Sequence, residues 1–333
     1  MPKTNQSKGN MERQLVTLET ISEINPIPDA DAIEVAKVRG WNVVTKKGEF
    51  QPGDEVLYFE IDSFLPISDP RFAFLEPRGV RVQDGVTGHV LKTVRLRGQY
   101  SQGLIKPVSE FPEGLPDIVK FDPPLPAGLE GAVEGQFLYQ FAPKTDAERI
   151  QNLGRVLNEI HEHEWTATEK IDGTSTTIVN DGGTIRICSR NWEISRPSAR
   201  FDLADKLNLA EILPVDHAIQ GEYFGENIQG NPLGIKGTDF KAFNLYRKTD
   251  NGPVAVPFNE WGEELSALQV PVLPLTLPQA IHEIVDQADG LKSVINPQRL
   301  AEGIVWQGPK GFPFLGNRPG FKAISNKYLA KQK

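Results

Sequence analysis

ATEKIDGTSTTIV, residues 167–179, decides how this chain is read. Polar and apolar residues alternate on both sides of Asp172-Gly173, the pattern of two strands joined by a tight bend that glycine makes easily. Lys170 then stands near a strand end, with Asp172 two residues on along the same side. A lysine amine is protonated near pH 7, so one that attacks an electrophile needs desolvation or a neighbouring positive charge. An adjacent aspartate can help organise a divalent cation. Taken alone, Lys-x-Asp-Gly reads equally well as an exposed lysine beside a turn.

Working outward, TDAERIQNLGRVLNEIHEHE (residues 145–164) spaces Ile150, Leu153, Val156, Leu157 and Ile160 by threes and fours, and Thr145 precedes Glu148 by three. This predicts an amphipathic helix opened by a capping box. Before it, FDPPLPAGLEGAVEGQFLYQFAPKTDA is dense in Pro and Gly and reads as an interdomain link over 127–144. Residues 1–126 have period-two runs rich in Val, Ile, Phe and Tyr, such as AIEVAKVRGWNVVTKKGEF and GHVLKTVRLRGQYSQGLIKPV, broken by Gly and Pro. They predict a small closed β-barrel. Beyond Trp165 strands resume as a second domain over 145–333, with helices around 198–213 and after QVPVLPLTLPQA, and final strands at EGIVWQG and FKAIS.

The 333 residues suit about two domains, and 39% hydrophobic with 24% charged residues is a globular balance. The single cysteine, Cys188, excludes an intramolecular disulfide and a thiolate-rich zinc site, and it reads as a buried small hydrophobe. No run approaches a membrane span and the opening MPKTNQSKGNMERQ lacks an apolar core, so an intracellular, cytoplasmic or nuclear monomer with no membrane contact is expected. A formal charge of −8 argues against coating nucleic acid by bulk attraction but leaves room for a local basic cleft. His161 and His163, amid glutamates and without a third ligand, read as solvent-facing. Lys92, Arg95 and Arg97 are either phosphate contacts or an ordinary solvated strand face, and Trp41 is either a base platform or core.

In order along the chain, EKIDG around Lys170, SRN with Arg190 and Asn191, GEYFG with Glu222, DFKAFNLY with Phe240 and Phe243, EGIVWQG with Glu302, and FKAISNKY with Lys322 resemble motifs I, Ia, III, IIIa, IV and V of the covalent nucleotidyltransferases. That superfamily comprises polynucleotide ligases and messenger RNA capping enzymes. The first domain, with RGWNVVTKKGEFQPGDEVLYFEIDSFLP, resembles the amino-terminal domain of RNA ligases of the Deinococcus and Naegleria type. The resemblance implies a mostly β and α+β protein: an N-terminal OB-type β-barrel followed by an adenylyltransferase (ATP-grasp-like ligase) domain of antiparallel sheets with helices.

It also implies roles. Lys170 would attack the α-phosphate of ATP and carry AMP. Asp172, Glu222 and Glu302 would converge on Mg²⁺ or Mn²⁺, largely through metal-bound waters, although Glu222 could instead hold the ribose. Phe243, or failing that Phe240, would stack on adenine, with Glu169 and Ile171 flanking Lys170 in the nucleotide site. Lys322 would meet the α-phosphate, Arg190 the ribose or an acceptor 5′-phosphate, and Arg149 the nucleotide phosphates. One departure is Ile324, which stands where motif V commonly has a second lysine. Either Lys327 takes over that contact or the contact is missing.

The chain ends eleven residues past Lys322, so the further OB domain of DNA ligases and capping enzymes is not expected. The implied activity is an ATP-dependent RNA ligase sealing 3′-hydroxyl and 5′-phosphate ends, in nicked duplexes with RNA on the 3′-hydroxyl side. The partner is RNA or an RNA-containing nicked duplex. A capping-type transferase and a non-catalytic OB-based nucleic-acid-binding protein remain the alternatives.

Overall fold

A computed structural model describes residues 14–121 and 131–331. The chain forms two compact units, Met1–Asp122 and Pro123–Lys333. The first is built around Val16–Pro26, a strand long enough to serve two partners. Its first half pairs with Glu55–Phe59 and its second half with Ile33–Val38, and a bulge between Ile21 and Glu23 bends the strand between them. Leu104–Pro107 and Trp41–Lys46 complete a five-stranded antiparallel sheet that the bulge helps to curl. Leu57, Phe59, Leu65, Phe72, Leu75 and Phe111 fill it. Trp41 is fully buried against Tyr58, which settles its reading as core. The unit is an OB-fold.

The second unit holds two sheets. The seven-stranded sheet runs Val133–Gln136, Trp192–Ile194, Thr184–Cys188, Thr174–Asp181, His217–Gly225, Thr238–Arg247, Val254–Val256. Alternation puts Ile178, Ile187, Ile194, Ile219, Tyr223 and Phe240 on one face, where helices Ala199–Lys206 and Leu209–Ile212 cover them with Phe201, Leu203 and Leu209. The five-stranded sheet runs Glu148–Arg149, Arg318–Ile324, Gly303–Phe312, Thr166–Lys170, Val272–Leu273. Its core includes Ile160, Ala167, Ile304, Trp306 and Phe321, packed against helix Ile281–Ala288.

The chain passes from one sheet to the other through Ile171, Asp172 and Gly173. A Cβ on Gly173 would lie 2.4 Å from the Tyr223 carbonyl oxygen and 2.8 Å from the Phe224 Cβ, so only glycine lets the crossing pass this close to its neighbour.

The helix expected over 145–164 does not form as one element. Glu148–Arg149 pairs in parallel with Arg318–Ile324, two 3₁₀ turns follow, and only Leu157–His161 is α-helical. Thr145 does not cap; its hydroxyl lies 2.7 Å from that of Ser175. Strand pairing claims the backbone that a first helical turn would need, while Ile150, Leu153 and Ile160 still reach the core. Within the stretch read as a link over 127–144, residues 127–130 lie outside the described residues. The remainder is structured: Val133–Gln136 is a strand, and Phe137, Leu138, Phe141 and Ala142 are buried with Val179, Cys188 and Tyr246. The apolar run FLYQFA outweighs its Pro- and Gly-rich flanks. No helix among the described residues is long and apolar enough to cross a membrane.

Candidate active site

The five-stranded sheet brings together residues far apart in sequence by register alone. Lys170 pairs with Gly303, Gly303 with Ile324, Val305 with Lys322, and Lys322 with Arg149. Glu302, one residue before its strand begins, therefore reaches the end of the lysine's strand, and its Oε2 accepts a hydrogen bond of 2.6 Å from the Lys170 Nζ. From the seven-stranded sheet comes Glu222, paired with Ser175 on one side and Lys241 on the other, on the face opposite the helix-covered core.

The electrostatics are those of one ammonium among three carboxylates. Burial alone would depress the Lys170 pKa, but the charges of Glu302, Glu222 and Asp172 outweigh it and hold the amine above its ordinary value. Burial lifts Glu222 to about 8; Lys170 opposes that shift, and Glu302 and Asp172 reinforce it. Among the described residues no group of three or more His, Cys, Asp or Glu side chains is arranged to ligate a metal directly. The surplus of hard oxygen donors around a single amine nonetheless fits Mg²⁺ or Mn²⁺ held through water, because a divalent charge would offset the repulsion that Glu302 and Asp172 add at Glu222.

Other expected residues fall at different places. Lys322 and Arg190 share one carboxylate, with the Asp146 oxygens 3.3 Å from the Lys322 Nζ and 3.4 Å from the Arg190 Nη2. Arg149 is buried beside Lys322. Glu169, on the opposite side of its strand, accepts a 2.7 Å hydrogen bond from the Val294 N–H, and burial raises its pKa. It braces the 293–295 loop. Ile171 is buried with Phe224, Leu233 and Val270, and Phe243 lies half-buried against that cluster. Phe243 is the extra residue of a bulge, since Gln220 pairs with Asn244 and Gly221 with Ala242. Phe240 is fully buried in the helix-covered core.

Lys327 is exposed, with its ammonium 3.6 Å from Asp289, and does not join the Lys170 cluster. Cys188 is buried, its thiol pushed up to about 11. His163 is exposed and stacks on Phe314. In the OB unit, Arg95 donates to the Gly98 carbonyl and lies over the Tyr100 ring.

Two residues escaped the sequence reading. Tyr328 donates its hydroxyl to the Asp172 Oδ2 at 2.7 Å, and Asp146 bridges Lys322 and Arg190. Tyr328 lies within the quoted FKAISNKY run, and Asp146 three residues before Arg149. Neither carries a local signal, because its partner is brought to it only by the fold.

An OB-fold unit preceding a half-buried lysine set among carboxylates at a crossing between two sheets is the arrangement expected of a polynucleotide ligase with its OB domain in front. Comparison with known proteins narrows it. The family model described as RNA ligase matches residues 163–324, and one described as OB-fold domain matches 15–108. No curated protein matches. An apo variant of the Naegleria gruberi RNA ligase superposes with TM-score 0.82 at 36% identity, over 95% of this chain and 97% of that one. Variants of the same Naegleria enzyme solved with ATP and Mn and with AMP and Mn give TM-scores of 0.81 and 0.83, each at 36% identity over 96% of this chain and 99% of theirs. The chain belongs to the RNA ligase family.

Proposed function

We propose that this protein is an ATP-dependent RNA ligase that joins a 3′-hydroxyl to a 5′-phosphate through an adenylate carried on Lys170. The observation that carries this reading is the half-buried Lys170 amine, hydrogen-bonded to Glu302 within the field of Glu222 and Asp172. The Naegleria structures with ATP, AMP and Mn support ATP as the donor and a divalent cation as its companion.

In the first step the deprotonated Nζ attacks the α-phosphorus of ATP. An N–P bond forms, the bond from the α-phosphorus to its bridging oxygen breaks, and pyrophosphate leaves. Glu302, in contact with Nζ, is the acceptor for the amine proton. Lys322 and Arg149 set positive charge against the phosphates as negative charge develops, and Phe243 offers a half-buried face to adenine. AMP next passes to a 5′-phosphate, restoring the amine. The 3′-hydroxyl then attacks that activated end and expels AMP, with Arg190 available to the acceptor phosphate. Asp172, Glu222 and Glu302 would hold Mg²⁺ or Mn²⁺ through water, and its charge would favour the neutral amine and the departure of pyrophosphate. The substrate is a nicked duplex with RNA on the 3′-hydroxyl side.

The test is covalent labelling. Native protein mixed with α-labelled ATP and Mg²⁺ or Mn²⁺ should retain label after denaturation, Lys170→Ala should retain none, and α-labelled GTP should label neither. Label with GTP instead would favour a capping-type transferase, and no label with either metal would favour a non-catalytic binder. Matched nicks lacking the terminal 2′-hydroxyls should be sealed poorly; equal sealing would remove the RNA preference.

A further inference from the structure

We propose that Tyr328 is a positioning residue that sets the orientation of the Asp172 carboxylate beside Lys170, an inference that rests on the ligase reading. Asp172 lies in the crossing between sheets, after strand Thr166–Lys170 and before strand Thr174–Asp181. Its charge acts on both Glu222 and Lys170. Such charge effects do not by themselves fix the direction in which a carboxylate's oxygens face. The Tyr328 hydroxyl does so by donating to the Asp172 Oδ2 at 2.7 Å.

The donor is itself immobilised. Its ring is buried, and the short helix Asn326–Leu329 begins at Ser325, whose Oγ accepts from the Tyr328 N–H at 3.1 Å and donates to Asp289 at 2.9 Å. The Lys327 N–H is bound to the same Asp289 oxygen at 2.7 Å. The strand that ends at Ile324 carries Lys322, so the Tyr328–Asp172 hydrogen bond connects the segment bearing that cation to the turn immediately after the nucleophile. Tyr328 thereby couples the placement of Asp172 to that of Lys322.

Tyr328→Phe removes only the hydroxyl. With the full chain, the expected result is a rate of lysyl-adenylate formation at saturating ATP lowered about tenfold, the loss of one hydrogen bond to a charged group. The KM for ATP should stay unchanged and the Mn²⁺ concentration for half-maximal labelling should rise severalfold. Asp172→Asn combined with Tyr328→Phe should be no slower than Asp172→Asn alone. An unchanged rate in Tyr328→Phe, or losses that multiply in the double variant, would overturn the proposal.

A readout independent of activity is thermal unfolding of the same four proteins without nucleotide or metal. The shifts in Tm should be non-additive if the pair is coupled and additive if it is not. Should wild-type protein form no adenylate at all, the ligase reading fails, while the thermal cycle still decides whether the tyrosine holds the aspartate.

Discussion

Glu222 binds a proton in the folded protein that an unfolded chain would release, because burial lifts its pKa from the ordinary 4.5 to about 8. Between those values the native state holds more protons than the unfolded one, so this group makes stability fall as pH rises and adds no further loss above about 8. Glu222→Gln removes that dependence. The Tm of the variant should therefore gain on wild type as pH rises through that window, measured without nucleotide or divalent metal. A Tm difference independent of pH would show that the carboxyl is not held protonated. The Lys170 amine is biased toward its charged form by the neighbouring acidic groups, Glu302 in contact foremost, where attack needs it neutral. The labelling rate should rise with pH across the neutral and alkaline range. Glu302→Gln, which removes the contacting acceptor, should slow labelling by about 10²-fold or more.

At the scale of elements, the crossing at Gly173 and the bulge at Phe243 shape the site more than any strand interior does. Gly173→Ala forces a Cβ against the backbone of the neighbouring strand and should cost about 1–3 kcal/mol, read by urea denaturation. A cost within error would show that the crossing has slack. The bulge places Phe243 on the side of Ile171 while Phe240 stays in the opposite core. Phe243→Leu should raise the KM for ATP severalfold with little change in Tm, whereas Phe240→Leu should lower Tm and leave that KM near wild type. The expected helix over 145–164 fails at this same scale. Its apolar spacing correctly marks Ile150, Leu153 and Ile160 as core, but periodicity carries no information about Arg318–Ile324, the distant strand that claims Glu148 and Arg149.

For the whole molecule, a charge of −8 means that a polyanion must be engaged by a few placed cations. The affinity for a nicked RNA-containing duplex should fall with salt by about 0.7–0.9 log units per log unit of salt for each phosphate engaged. Arg190→Gln should reduce that slope by about one if its guanidinium meets a phosphate, and leave it unchanged if it does not.

Through strand alternation and its resemblance to ligase motifs, the sequence by itself pointed to an OB-type barrel followed by a domain of antiparallel sheets with helices, and it proposed Lys170, Asp172, Glu222 and Glu302 as one set. Strand alternation, turn chemistry and motif order are local or sequential properties, legible without coordinates. It also separated Lys322 from Ile324, where the usual second lysine is absent. Only the tertiary structure decided that Lys327 belongs to Asp289, that Glu169 braces a loop, that Phe240 is core, and that Tyr328 and Asp146 hold site residues. Each of these depends on which atoms of distant segments come within hydrogen-bonding or packing distance. That is set by sheet register and by the crossing at Gly173, and no short window of sequence encodes it.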